Sequence, residues 1–202
     1  MSIRFFTASL LGAGLLFLSC SSPSGPDPPF RTLEGLTPIV TGLRITNSSG
    51  PTEIATWCQP SDPSSQPSGG KFPTSYGLSN SYPNPSSGTL SVNFSLMQQS
   101  TVSLWVVRAR PSGTEISDLV DYGGGGVYTP LAVVVKKLVA SESLQTGHYG
   151  VSWDTRDDNG ELVAKGFYRI YFQAGDYSSF RDVLIYRSLE DLPASLRKFA
   201  YI

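Results

Sequence analysis

Hydrophobic and polar side chains alternate through the second half of this chain, most clearly between residues 147 and 172. Tyr149, Val151 and Trp153 share one parity, and Tyr168, Ile170 and Phe172 form a second such trio. Each set therefore falls on one face of a strand with a two-residue repeat. Asp158-Asn159-Gly160 lies between them, and Asn-Gly readily takes the positive φ angles of a tight turn. The pattern predicts a hairpin that turns one aromatic face inward, with those two trios as the core. Phe167 and Tyr171 have the opposite parity and are expected outside, as a candidate aromatic binding patch.

The same alternation recurs on either side. Leu90, Val92, Phe94 and Leu96 alternate with Ser91, Asn93 and Ser95, and Val102, Leu104 and Val106 follow a Gln98-Gln99-Ser100 turn. Residues 114–120 form a weaker strand. Gly123–Gly126 reads as a loop, because consecutive glycines lose much backbone entropy in regular structure. Leu131 to Val139 is a continuous apolar run, suited to a strand buried on both faces or to an edge packed on a neighbour. Val183 and Ile185, with Leu184 and Tyr186 on the other face, make the last strand. About seven strands, separated by turns every 8–12 residues or so, predict an all-β fold: an antiparallel β-sandwich over residues 76–187.

The flanks have a different composition. Arg4 followed by the apolar run Phe5–Leu18 reads as a signal peptide over residues 1–19, too short for a transmembrane helix of about 20 residues. Leu16-Phe17-Leu18-Ser19-Cys20 resembles a bacterial lipobox, which makes Cys20 the expected lipidation site and first mature residue. Phe17 and Leu18 depart from the usual residues there, and an ordinary secretory peptide cut near Ala13 or Ser19 is the alternative. At about 0.8 kcal/mol per buried methylene, more than one acyl chain is needed for a stable anchor. Residues 20–75 read as a Pro/Ser-rich tether. Within it Ile39, Val40, Leu43, Ile45, Ile54 and Trp57 suit one or two short strands that either join the sandwich or stay loosely ordered. In the tail, residues 188–202, Asp191 suits the cap of a short helix with Leu192, Leu196 and Phe199 on one face.

Charge and composition narrow the function. The chain has 202 residues with 15 basic and 16 acidic side chains, and a net charge of -1 provides no field to gather nucleic acid. Once Cys20 is lipidated, Cys58 has no intramolecular partner, so no disulfide framework is indicated.

Two motifs carry a family resemblance. Asn80-Ser81-Tyr82-Pro83-Asn84-Pro85 precedes the strand at Leu90. Further on come Gly147-His148-Tyr149, Trp153-Asp154, Arg156-Asp157-Asp158-Asn159-Gly160 and Gly166-Phe167-Tyr168. In order and spacing they resemble the C-terminal sorting domains of type IX secretion cargo and the immunoglobulin-like domain of the flagellar hook-capping protein family, over roughly residues 76–187. The resemblance implies an immunoglobulin-like sandwich and, for the first family, recognition by an outer-membrane secretion machine. This chain departs from the sorting pattern in running on past Arg187, in an expanded 114–146 region and in lacking a large preceding cargo domain.

Candidate chemistry is sparse. Asp154, Asp157, Asp158, Asn159 and Glu161 are the one dense set of oxygen ligands, and calcium takes six to eight oxygens. Their spacing is not that of an EF-hand loop, and a turn demands the same residue types. His148 is the sole histidine, without a nucleophile motif or a partner set for zinc. Gly123–Gly126 lacks the Lys-Ser/Thr of a phosphate loop. The expected function is that of a non-catalytic lipoprotein with no cofactor, calcium being the one candidate. It would sit at the outer membrane facing the periplasm, with a surface or secreted address as the alternative. Its sandwich would serve as a structural or protein-binding module; the rival reading is a sorting domain.

Overall fold

Eleven strands are present among the described residues of the computed structural model, which are 37–40, 42–46, 53–55, 67, 69–111, 133–194 and 196–200. They are β1 (Ile39–Val40), β2 (Leu43–Ile45), β3 (Glu53–Ala55), β4 (Gly77–Leu78), β5 (Leu90–Leu96) and β6 (Ser100–Arg108). The remainder are β7 (Arg110–Pro111), β8 (Val134–Leu144), β9 (Gly147–Trp153), β10 (Gly166–Ala174) and β11 (Tyr177–Ile185). The expected signal peptide, Cys20, Cys58, the weak strand at 114–120 and Gly123–Gly126 lie outside the described residues.

Two antiparallel sheets face one another. One has the order β4-β5-β9 and the other β11-β10-β6-β8. The alternating residues meet between them: Leu90, Val92, Phe94, Leu96 and Trp153 on one side, and Val102, Leu104, Val106, Tyr168, Ile170, Phe172, Val183 and Ile185 on the other. Phe94 stacks on Tyr149 and tilts against Phe172 across the interface. The expected core is thus the core, with Tyr149 and Val151 only half-buried because β9 is an edge strand. The fold is an all-β sandwich, as the alternation predicted.

The expected hairpin between residues 153 and 168 does not form. β9 pairs with β5, from Leu90 opposite Trp153 to Leu96 opposite Gly147, whereas β10 pairs with β6 and β11. The two aromatic trios face each other from opposite sheets, so residues 154–165 cross the sandwich rather than reverse within one sheet. The real hairpin joins β10 to β11, with Ala174 opposite Tyr177 across Gly175-Asp176. Gly175 takes φ +56°, the left-handed conformation that a two-residue loop requires.

The flanking segments complete the module instead of leaving it at residue 76. β1 and β2 lie over the outer face of the larger sheet, where Val40, Leu43 and Ile45 pack with Phe167, Leu184 and Tyr186. The tail adds Leu192 and Leu196 to the same cluster. It runs as two 3-10 turns, Leu189–Asp191 and Arg197–Phe199, in place of one helix. Asp191 accepts the backbone N–H groups of Arg187 and Ser188, so it caps the first turn from inside. Phe167 and Tyr171, expected outside, are only 1% and 6% exposed. Phe167 lies under those two segments, and Tyr171 stacks on Trp105 beside Val107 and Phe180. Of the run at Leu131–Val139, residues 134–139 form the start of β8, the half-buried edge of the larger sheet, and residues 131–132 lie outside the described residues.

Asn84 fastens these layers. Its Nδ2 donates to the carbonyls of Arg44 (2.9 Å) and Asp182 (3.0 Å), and its Oδ1 accepts the N–H of Leu184 (3.0 Å). Its backbone also exchanges both hydrogen bonds with Thr46. From the inward face of β11, Arg181 reaches the carbonyls of Leu78 and Ser79, closing one side of the sandwich. Removing a buried partner strands groups at about 1–3 kcal/mol each. Asn84→Ala is therefore expected to lower unfolding free energy by about 2–4 kcal/mol in urea titration, and a loss below about 0.5 kcal/mol would contradict the clamp.

Candidate functional site

The crossing segment 154–165 holds the aspartates singled out as oxygen ligands. Asp157 Oδ1 accepts the N–H groups of Asn159 and Glu161, both at 2.9 Å, and Gly160 takes φ +84°. Asp154 Oδ1 accepts the N–H of Arg156 at 3.1 Å, and the Arg156 guanidinium donates to the Gly160 carbonyl at 2.7 Å. These are the self-bonded turns for which Asp and Asn are favoured. Asn159 Nδ2 also donates to Asp157 Oδ2 at 3.4 Å, so that side chain serves the same turn. Among the described residues no three His, Cys, Asp or Glu side chains are grouped to hold a metal ion.

Asp158 has a separate task that sequence reasoning missed. Its backbone N–H donates to the Val135 carbonyl (3.1 Å), and its Oδ1 accepts the Lys137 N–H (3.2 Å). Lys136 Nζ donates to the Asp157 carbonyl (3.0 Å) and faces the Asp158 carboxylate at 3.7 Å. The turn therefore caps the open side of β8. A bulge at Ser141, with φ +56° and a register shift against β6, interrupts that edge further along. Capping, lysines and a bulge are the ordinary means of preventing strand edges from pairing with other chains.

The base of the crossing segment is fixed to the end of β11. Arg187 donates to the Val163 carbonyl (2.6 Å), to Thr155 Oγ1 (3.1 Å) and to the Ser87 carbonyl (3.3 Å). Thr155 is fully buried and holds φ +56°, a conformation unfavourable for a β-branched residue. Trp153 Nε1 donates to the Arg156 carbonyl at 2.8 Å, so the core tryptophan also sets the start of this segment.

The outer face of the larger sheet carries a buried ion pair. Arg169 on β10 and Asp182 on β11 are cross-strand partners, with Nε to Oδ1 at 2.6 Å and Nη2 to Oδ2 at 2.9 Å. The guanidinium lies 3.9 Å from the Phe180 ring centroid and also donates to the Ile39 carbonyl at 3.0 Å. Burial by itself disfavours this cation, and the Asp182 carboxylate outweighs it, raising the Arg169 pKa. The pair is a joint between β1 and the sheet. His148 is exposed on β9, with Nε2 2.9 Å from the Gly70 carbonyl.

Two carboxylates make stability depend on pH. The Glu161 N–H, then those of Asn159, hold Asp157 below the usual carboxylate range, and the Lys165 ammonium at 2.8 Å does the same for Asp191. A folded-state pKa below the unfolded value of about 3.9 gives stability that is complete above that value and is lost as pH falls through the folded one. The thermal midpoint should be level above about pH 5, fall below about pH 4, and fall less steeply in Asp191→Asn. A midpoint unchanged down to about pH 2 would contradict these roles.

No family model matches the chain, and no curated protein matches it.

Proposed function

We propose that this chain is a non-catalytic module of the bacterial cell envelope, an immunoglobulin-like sandwich anchored by lipid at Cys20 and serving a structural or protein-binding role. The observation that carries the reading is the use made of the charged side chains. Asp157 and Asp158 shape and dock a turn, Arg181 and Arg187 hold backbone carbonyls, and Arg169 holds Asp182. Such groups build a scaffold, and acid–base or nucleophilic chemistry needs them poised beside a reacting atom. The lipobox-like Leu16–Cys20 and the Pro/Ser-rich spacer support presentation at a membrane surface. Metabolic labelling with a palmitate analogue tests the anchor. Wild type should incorporate label and Cys20→Ser should not; equal labelling would overturn it.

The sorting role is the second reading, favoured by where the resemblance motifs fall. Asn84 is the clamp, Trp153 joins core to crossing segment, and Gly166-Phe167-Tyr168 begins the central strand β10. Fusing residues 30–202 to a reporter in cells with type IX secretion separates the two. A reporter left in the periplasm excludes sorting, and one exported to the surface displaces the anchored module.

A further inference from the structure

The two edges on one side of the sandwich are treated in opposite ways. β8 is capped by Asp158, carries Lys136 and Lys137, and bulges at Ser141. β9, which follows it in the other sheet, has none of these features. Ladder parity shows which of its backbone groups face outward. On β5, the N–H and C=O of Ser91 bond Tyr82, and those of Asn93 bond Ser79, on the side away from β9. Leu90, Val92, Phe94 and Leu96 must then bond the residues opposite them, Trp153, Val151, Tyr149 and Gly147. The N–H and C=O groups of His148, Gly150 and Ser152 consequently point out from the sheet edge, and all three residues are exposed. No backbone partner for them is present among the described residues.

We propose that β9 pairs with β9 of a second copy of this chain, antiparallel and in register about Gly150. This deepens the protein-binding reading of the module, on which it rests. An added strand must match the spacing of the outward groups, and the edge is its own complement. A two-fold axis at Gly150 lets the two Gly150 residues exchange both backbone bonds, while His148 of each copy exchanges both with Ser152 of the other. The outward-facing residues are uncharged and small apart from His148, so nothing like-charged is brought together across the axis. The pairing also places Tyr149 of one copy opposite Val151 of the other, covering two core residues that remain half-buried in one copy. The contrast with β8 supports a used edge, since the chain protects the neighbouring strand and leaves this one open.

Light scattering of the full chain in detergent tests the pairing, with Ser152→Ala as the control for the lost contact between the Ser152 and Ser91 hydroxyls. Ser152→Pro removes an outward N–H without touching the ladder to β5, a position where an edge strand tolerates proline. Wild type and Ser152→Ala should be dimers at micromolar concentration and Ser152→Pro a monomer with wild-type circular dichroism. Register is read by oxidation in a background of Cys20→Ser and Cys58→Ser, which holds no other thiol: His148→Cys with Ser152→Cys should cross-link, and Ser152→Cys alone should not. A wild-type monomer, a dimer insensitive to Ser152→Pro, or cross-linking of Ser152→Cys alone would overturn the proposal. None of these outcomes bears on palmitate labelling or reporter export, by which the module reading itself stands or falls.

Discussion

Replacing Asp182 with asparagine should cost about 3–5 kcal/mol, among the largest losses available to a single substitution here. The shape is almost unchanged, so the loss comes from charge. The Arg169 guanidinium would remain under β1, stacked on Phe180, without the carboxylate that offsets its desolvation. A domain of this size has about 5–15 kcal/mol in all, so urea denaturation should show a midpoint displaced by a large fraction of its value. Replacing both partners with apolar residues of similar volume, Arg169→Met with Asp182→Leu, should recover most of the loss, because no buried charge is then left alone. If Asp182→Asn were as stable as wild type, the pair would not be the joint described. If the double variant were the less stable of the two, the charge argument would fail.

Trp153→Ala is the second large effect, at about 3–5 kcal/mol. The ring is almost wholly buried and meets Tyr168 edge-on at 5.5 Å across the sandwich. The indole N–H adds the bond to the Arg156 carbonyl that fixes the crossing segment. Trp153→Phe should separate the two contributions. It keeps most of the packing and should lose only about 1–2 kcal/mol, chiefly the hydrogen bond and the smaller ring. Chemical denaturation of both variants checks this, and equal losses would mean that the hydrogen bond, rather than the packing of the ring, accounts for the cost.

The face each strand buries was legible, while the partner of each strand was not. Alternation at Tyr149, Val151 and Trp153 fixes an inward side, but a strand beside its neighbour and one facing it across the core leave the same pattern. The Asn159-Gly160 turn was real, but it serves a crossing segment. Gly175-Asp176, between two longer apolar runs, marked the true hairpin. Taking that turn as the axis sets Arg169 opposite Asp182, so the ion pair was also within reach of the sequence. Phe-Tyr-Arg-Ile-Tyr-Phe on β10 is apolar at both parities, the sign of a strand covered on both faces, and that is why Phe167 and Tyr171 are inside. The apolar face of the tail at Leu192 and Leu196 was visible. The Asp158 cap on β8 and the open edge of β9 were not, because they depend on how distant segments come to lie together.

The outer layers decide what the module is. Residues 76–187 alone would lack β1, β2 and the tail, uncovering Phe167, Leu184 and Tyr186 and leaving Asn84 without its bonds to Arg44 and Thr46. Thermal unfolding of that trimmed chain beside residues 30–202 tests the point directly. The longer chain should unfold in one cooperative step, with the trimmed chain either lacking such a step or melting on the order of 15 °C lower or more. Equal midpoints would contradict a sandwich finished by its own flanks and return the boundaries to residues 76 and 187.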